Sequence, residues 1–184
     1  MAAGIVLGSV CSSDSARQAA DSVTRVLGRL GPDYCVFRDV TIAGATIGHV
    51  LVGPGRICVI NSDATRGKVA ASEDVLYLNQ VPTQGHAVHR TYSQAMTLRC
   101  FLADIPGIPA PFVQAVVVFT NARVNAPEPV GGVRVVSLRQ LPAAVSCHRT
   151  RLGLEERLRI ATALKRCETR EPGMEACAGG AVAL

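Results

Sequence analysis

Tryptophan is absent from this chain of 184 residues, and aromatics are few: three tyrosines and four phenylalanines. Apolar residues still make up 48% of the chain against 18% charged. That balance excludes a disordered polypeptide and fits one globular domain whose core is mostly Val, Leu, Ile and Ala. No stretch approaches the ~20 apolar residues of a membrane helix, so no membrane partner is expected. The opening ten residues are apolar but short, with no positive flank, and a secretory signal is not expected either. A lipoprotein reading of Cys11 would want a small residue before it, and Val10 stands there. The seven cysteines include no CxxC pair, which leaves a zinc knuckle unsupported. Cys35, Cys58 and Cys100 sit in apolar patterns and read as small buried hydrophobes, while Cys167 and Cys177 fall in a polar tail. A reducing cytoplasm is the expected location. A dense Lys/Arg stripe is also missing. The net charge of +5 permits a polyanion partner without demanding one.

What is present reads as alternating helices and strands. Ser12, Ser13 and Asp14 offer caps to a helix carrying Ala16, Ala19, Ala20, Val23, Val26, Leu27 and Leu30 at helical spacing, stopped by Gly31-Pro32. A strand over 34–40 follows, then a hairpin over 46–63. Gly67 is expected to start a separate short strand over 68–71, with another over 75–78. Pro82 opens a long helix over 83–103, with Val88, Tyr92, Ala95, Leu98 and Leu102 on its apolar face. Residues 112–119 form a nearly continuous apolar run, as a strand covered on both faces should. A loop is expected over 121–132, a strand over 133–137, a short helix over 138–144 and a last helix over 154–167. The fold class is α/β: a mixed sheet with a central hairpin flanked by helices. The organisation expected is an N-terminal segment 1–14, a domain 15–145, a C-terminal helix 146–167 and a disordered tail 168–184.

The hairpin carries the most chemical information. Two apolar runs flank Gly53-Pro54-Gly55. A tight turn there pairs Gly53 with Arg56, and counting back along the ladder puts Gly48 opposite Asn61. Asn61 and Asp63 then share a face with Gly48 and Thr46. A metal-dependent nuclease uses this geometry: one acid on each strand holds Mg²⁺, and a lysine two residues on orients the attacking water. The spacing suits such a site, but the residue types do not fill it.

The ordered segments Asp33 to Val40, Ile47 to Gly55, Ile57 to Asp63, Arg66 to Val69 and Val81 to Gln84 resemble the nuclease-related domain family, often called NERD. The resemblance runs from about residue 15 to 145, and the His49-Val-Leu-Val-Gly-Pro54 stretch is its most specific piece. It implies a restriction-endonuclease-like α/β fold and an ancestral class of Mg²⁺-dependent deoxyribonucleases. The family pattern has Gly-Glu in the first helix, where this chain has Ala19-Ala20. It has Ile-Asp-His on the first hairpin strand, against Ile47-Gly48-His49 here. It has an acid, a spacer and Lys on the second, against Asn61-Ser62-Asp63. The glutamine that opens the long helix is kept as Gln84. The expected carboxylates are gone and the lysine has reversed sign.

The resulting expectation is a degenerate nuclease-related protein with a vestigial site at Gly48, Asn61, Asp63 and Gln84. It retains weak nucleic-acid binding, DNA being the partner considered, through His49, Arg66, Lys68 and Gln84. No cofactor is expected. Asp63 is the residue considered as a metal ligand, but alone it reads as a solvated strand-end residue, and Asn61 is a weak Mg²⁺ ligand. One alternative is an active Mg²⁺-dependent endonuclease with a site rebuilt from Asp39 or Glu73 beside Asp63. Another is a protein-interaction module with an exposed apolar patch. Gln84 either touches a phosphate or caps its helix. His86 and His89 have metal-compatible spacing but no evident third ligand, and His49 is expected to be packed and hydrogen-bonded. Ser12, Ser13 and Ser15 read as caps.

Overall fold

The computed structural model describes residues 13–108, 111–146 and 152–168. Most of the N-terminal segment, most of the expected tail, and Cys11 and Cys177 lie outside the described residues. The elements are α1 Ser13–Leu27, β1 Cys35–Ile42, β2 Ala45–Val52, β3 Ile57–Ser72, β4 Val75–Leu78, β5 Val81–Pro82, α2 His86–Ala103, β6 Val113–Asn125, β7 Val133–Ser137, α3 Leu141–Val145 and α4 Leu154–Cys167. The seven strands form one mixed sheet, a mixed α/β architecture consistent with the restriction-endonuclease-like expectation. No helix among the described residues is long and apolar enough to cross a membrane.

β3 organises the sheet. The Gly53 N–H donates to the Arg56 carbonyl at 3.0 Å and closes the Pro54-Gly55 turn. That turn sets the antiparallel β2–β3 register, with Val52 opposite Ile57 and His49 opposite Ile60. On the other side β3 runs parallel to β6 for almost its whole length, and β6 pairs in parallel with β7. The distal end of β3 hairpins onto β4 and then β5. A Cβ on Gly53 would lie 2.5 Å from the Tyr34 ring, so only glycine lets that ring pack across the turn.

Strand alternation sorts the core into two layers. Ile57 and Val59 join Phe37, Val50, Val52 and Val117 against Leu98 and Leu102 of α2 and Ile160 and Leu164 of α4. Cys58 and Ile60 join Leu51, Val116 and Val118 against Val23 and Leu27 of α1 and Leu141 and Val145 of α3. The last helix is therefore part of the same core. Alternation breaks once in β1 and β2. Phe37 and Val40, and opposite them Val50 and Ile47, all face the α2 layer although each pair is three residues apart. Asp39 takes a left-handed φ of 48° at that point, opposite Gly48, and turns both strands over.

Several boundaries differ from the sequence reading. β3 runs through Gly67 instead of breaking there, because Gly67 adopts φ 133° and the pairing with β6 continues past it. β6 extends to Asn125 through residues read as a loop, since Asn121 to Asn125 stay paired with β3. α2 begins at His86 rather than residue 83: Gly85 is left-handed, Pro82 lies in β5, and the Thr83 N–H donates to the Leu76 carbonyl. Its buried stripe runs through Val88, Thr91, Gln94, Ala95, Leu98 and Leu102, with Tyr92 48% exposed.

Candidate functional site

The centre of the hairpin brings Gly48 and Asn61 together as the register requires. A Cβ on Gly48 would meet Asn61 Oδ1 at 3.3 Å. Asn61 continues the Ile57–Val59 face and is buried beneath α2. Its amide N–H groups donate to Thr91 Oγ1 at 2.9 Å and Gln94 Oε1 at 2.5 Å. The network closes at both ends: Gln94 Nε2 donates to the Thr46 carbonyl at 2.7 Å, and the Thr91 hydroxyl donates to the Ala87 carbonyl at 2.7 Å. Two amides and a hydroxyl thus tie α2 to β2 and β3 where the family pattern wants a carboxylate. Sequence reasoning missed Thr91 and Gln94. The available signal was two polar side chains on an otherwise apolar helical stripe.

Asp63 sits in the strand rather than at its end. Between Asp63 and Arg66 the β3–β6 register shifts by one residue. This is a bulge, and it leaves backbone groups to be satisfied. Asp63 Oδ1 accepts the Thr65 N–H at 2.8 Å, and its carbonyl accepts the Thr120 hydroxyl at 3.2 Å. Asn121 Nδ2 donates to the Ala64 carbonyl at 3.2 Å. The carboxylate is engaged with its own backbone.

The remaining sequence-selected residues are spread over the fold. Gln84 lies ahead of α2, exposed, with Oε1 2.7 Å from His86 Nε2, so it neither caps the helix nor reaches Asn61's network. Arg66 and Lys68 are exposed on the distal half of β3. His49 points the opposite way from Asn61, 1% exposed beneath α1, with Nε2 2.8 Å from Thr24 Oγ1 and no partner for Nδ1. That burial puts it out of reach of a nucleic acid. Burial, then the Arg38 charge, lowers its pKa from 6.5 to about 4, with Asp39 and Asp21 opposing, so it is neutral at pH 7. Ala19 is buried and Ala20 half-buried on α1.

The rebuilt site is equally dispersed. Glu73 is exposed in the β3–β4 turn, ten residues along the strand from Asp63 and so about 30 Å away. Asp39 is exposed and its charge opposes the lowering of the pKa of His49, which lies beneath α1. His86 and His89 are both exposed, and among the described residues no three His, Cys, Asp or Glu side chains gather as a metal set. A Mg²⁺ ion takes carboxylates at near-octahedral oxygen positions. Gly48 offers no ligand, Asn61 turns its N–H groups into a closed network, and Asp63 caps a bulge. These residues do not fit the ion.

A family model described as nuclease-related domain (NERD) matches residues 15–120, more than half of the chain. No curated protein and no solved structure matches it.

Proposed function

The chain belongs to the nuclease-related domain family, and from that premise we propose that it is a catalytically degenerate member that keeps the fold and a weak nucleic-acid contact. Membership suggests a nuclease-related function. Hydrolysis by this class needs at least two carboxylates converging on a metal and a cation near the attacked phosphate. The observation that carries the reading is the neutral Asn61–Thr91–Gln94 hydrogen-bond network facing Gly48, with no carboxylate in it. Thr91 Oγ1 and Gln94 Oε1 already accept hydrogen bonds there, and Asn61 Oδ1, which faces Gly48, is a neutral amide oxygen and a weak Mg²⁺ ligand. Asp63, where the family pattern has lysine, would repel the scissile phosphate rather than attract it.

Calorimetric titration with Mg²⁺ and Mn²⁺, and plasmid cleavage by the same preparation, test the reading. No heat of binding and no nicking are expected. Metal binding accompanied by cleavage that Asp63→Ala abolishes would overturn it and point to an active endonuclease built around that carboxylate.

A further inference from the structure

The distal half of the sheet carries a surface unrelated to the vestigial site. Arg66, Lys68 and Ala70 are exposed along β3, and Arg123 and Asn125 along β6. Lys68 is the parallel partner of Arg123, so the two side chains share a face. Ala70 is the antiparallel partner of Tyr77, which brings the half-buried ring to that same face. Lys68, Ala70, Tyr77 and Arg123 together line a groove of about 480 Å³. Its volume lies in the ~300–1,000 Å³ range of clefts that take small organic ligands. Arg66, Lys68 and Arg123 form no ion pair among the described residues.

We propose that this groove binds a single-stranded nucleic acid, with one base stacked on Tyr77 and neighbouring phosphates held by Arg66, Lys68 and Arg123. This rests on the reading above that the chain keeps a nucleic-acid contact, and it gives that contact a place and a substrate class. A ring flanked by cations on an open sheet is the combination that single strands use: every base offers a π-face, and the cations track the backbone. Residues two apart on a strand lie about 7 Å apart, the scale of adjacent phosphates on an extended strand. Ala70 beside the ring leaves the space a base needs. A duplex hides its π-faces and offers Tyr77 nothing to stack on. Glu73, Asp74 and Glu128 gather at the far tip and line a separate depression. They repel phosphate and set the end of the track; Asp74 accepts the Gly131 N–H at 3.0 Å.

The test is fluorescence anisotropy of the full chain with a labelled 15-nucleotide oligodeoxythymidine, the matching oligouridine and a DNA duplex of equal length. Binding to the single strands over the duplex is expected. Tyr77→Leu should weaken it about tenfold or more, while Tyr77→Phe stays within about twofold. Each of Arg66→Ala, Lys68→Ala and Arg123→Ala should weaken it and reduce the log–log salt slope by ~0.7. With no tryptophan and three tyrosines in the chain, a Tyr34→Phe, Tyr92→Phe background leaves Tyr77 as the sole emitter, and its fluorescence should fall on saturation. Duplex preference, or binding that ignores all four positions, overturns this inference and leaves the nucleic-acid contact standing elsewhere. Absence of binding to any of the three probes at low salt overturns both. The metal and cleavage measurements are independent of either result.

Discussion

Replacing Asn61 by aspartate changes one atom and restores a carboxylate near the place where the family pattern has one. The amide N–H groups of Asn61 donate at 2.9 and 2.5 Å to Thr91 and Gln94, and the residue is 7% exposed. Two lost hydrogen bonds cost ~1 kcal/mol each, and a buried acceptor left facing Gln94 Oε1 costs ~1–3 kcal/mol more. Relief is limited. The Thr91 hydroxyl can turn to the new oxygen only by leaving the Ala87 carbonyl, and Gln94 can flip only by abandoning the Thr46 carbonyl. The net loss is therefore about 3 kcal/mol. With a urea slope of ~2 kcal/mol per molar, the midpoint should drop by ~1.5 M at pH 7. The same titration with about 10 mM Mg²⁺ separates the readings. A metal site with Kd ~1 mM would return ~1.4 kcal/mol. With Gly48 opposite and Asp63 engaged in its bulge, no recovery is expected. A loss below ~1 kcal/mol would refute the closed network, and stabilisation of Asn61→Asp by Mg²⁺ would refute the misfit of the donor set.

His49 makes stability pH-dependent. With its pKa lowered from 6.5 to about 4 in the folded chain, the unfolded chain takes the proton first. The contribution is complete above pH 6.5 and is lost as pH falls toward 4. It amounts to ~2 kcal/mol between pH 7 and 5. Urea midpoints for the wild type and His49→Gln should diverge over that interval, and parallel curves would contradict the burial. Gly67→Ala should cost ~2–3 kcal/mol, because φ is 133° and the new Cβ would lie 2.5 Å from the Asn79 amide; an unchanged urea midpoint would mean the β3–β4 hairpin is not built as described. Cys58 is fully buried with its thiol pushed up to about 12, burial outweighing the Arg56 and Arg134 charges. Cys35 and Cys100 are exposed rather than buried as their apolar surroundings in sequence suggest, so iodoacetamide followed by peptide mapping should modify them well before Cys58, and early labelling of Cys58 would point to local opening of the core.

The parts of the fold legible in the sequence are those fixed by local pattern. Gly53-Pro54-Gly55 defines a turn, period-two alternation defines the faces, and together they place Gly48 opposite Asn61. What escaped was set by distant partners. Gly67 and Asn121 are ordinary breaking signals, yet both stay in strands because β3 and β6 pair in parallel across them. The left-handed Asp39, which turns β1 and β2 over, has no sequence signature of its own. The stripe of α2 is a matter of one residue: counting Tyr92 as core instead of Thr91 removes the helix's polar contribution to the site from view. Gln84 drew attention as the family's helix-opening glutamine, whereas Gln94, three residues beyond Thr91, is the amide that reaches the sheet.

A cluster of carboxylates between α2 and the hairpin would carry like charges that only a cation relieves, so an active site of this class couples its stability to metal. The Asn61–Thr91–Gln94–Thr46 chain in this protein is neutral and carries no such charge. The Asn61 and Gln94 amides donate to acceptors on a neighbouring element and so tie α2 to β2 and β3. A single carboxylate introduced at Asn61 would lose both amide donations to Thr91 and Gln94 with no second acid beside it at Gly48. The groove at Tyr77 is free of this constraint. Lys68 lies seven residues beyond Asn61 on the same strand, about 23 Å away. Changes at the hairpin centre should leave oligonucleotide binding at the groove unaltered, and Asn61→Asp measured in the anisotropy assay, at a urea-free temperature where it remains folded, makes that separation observable.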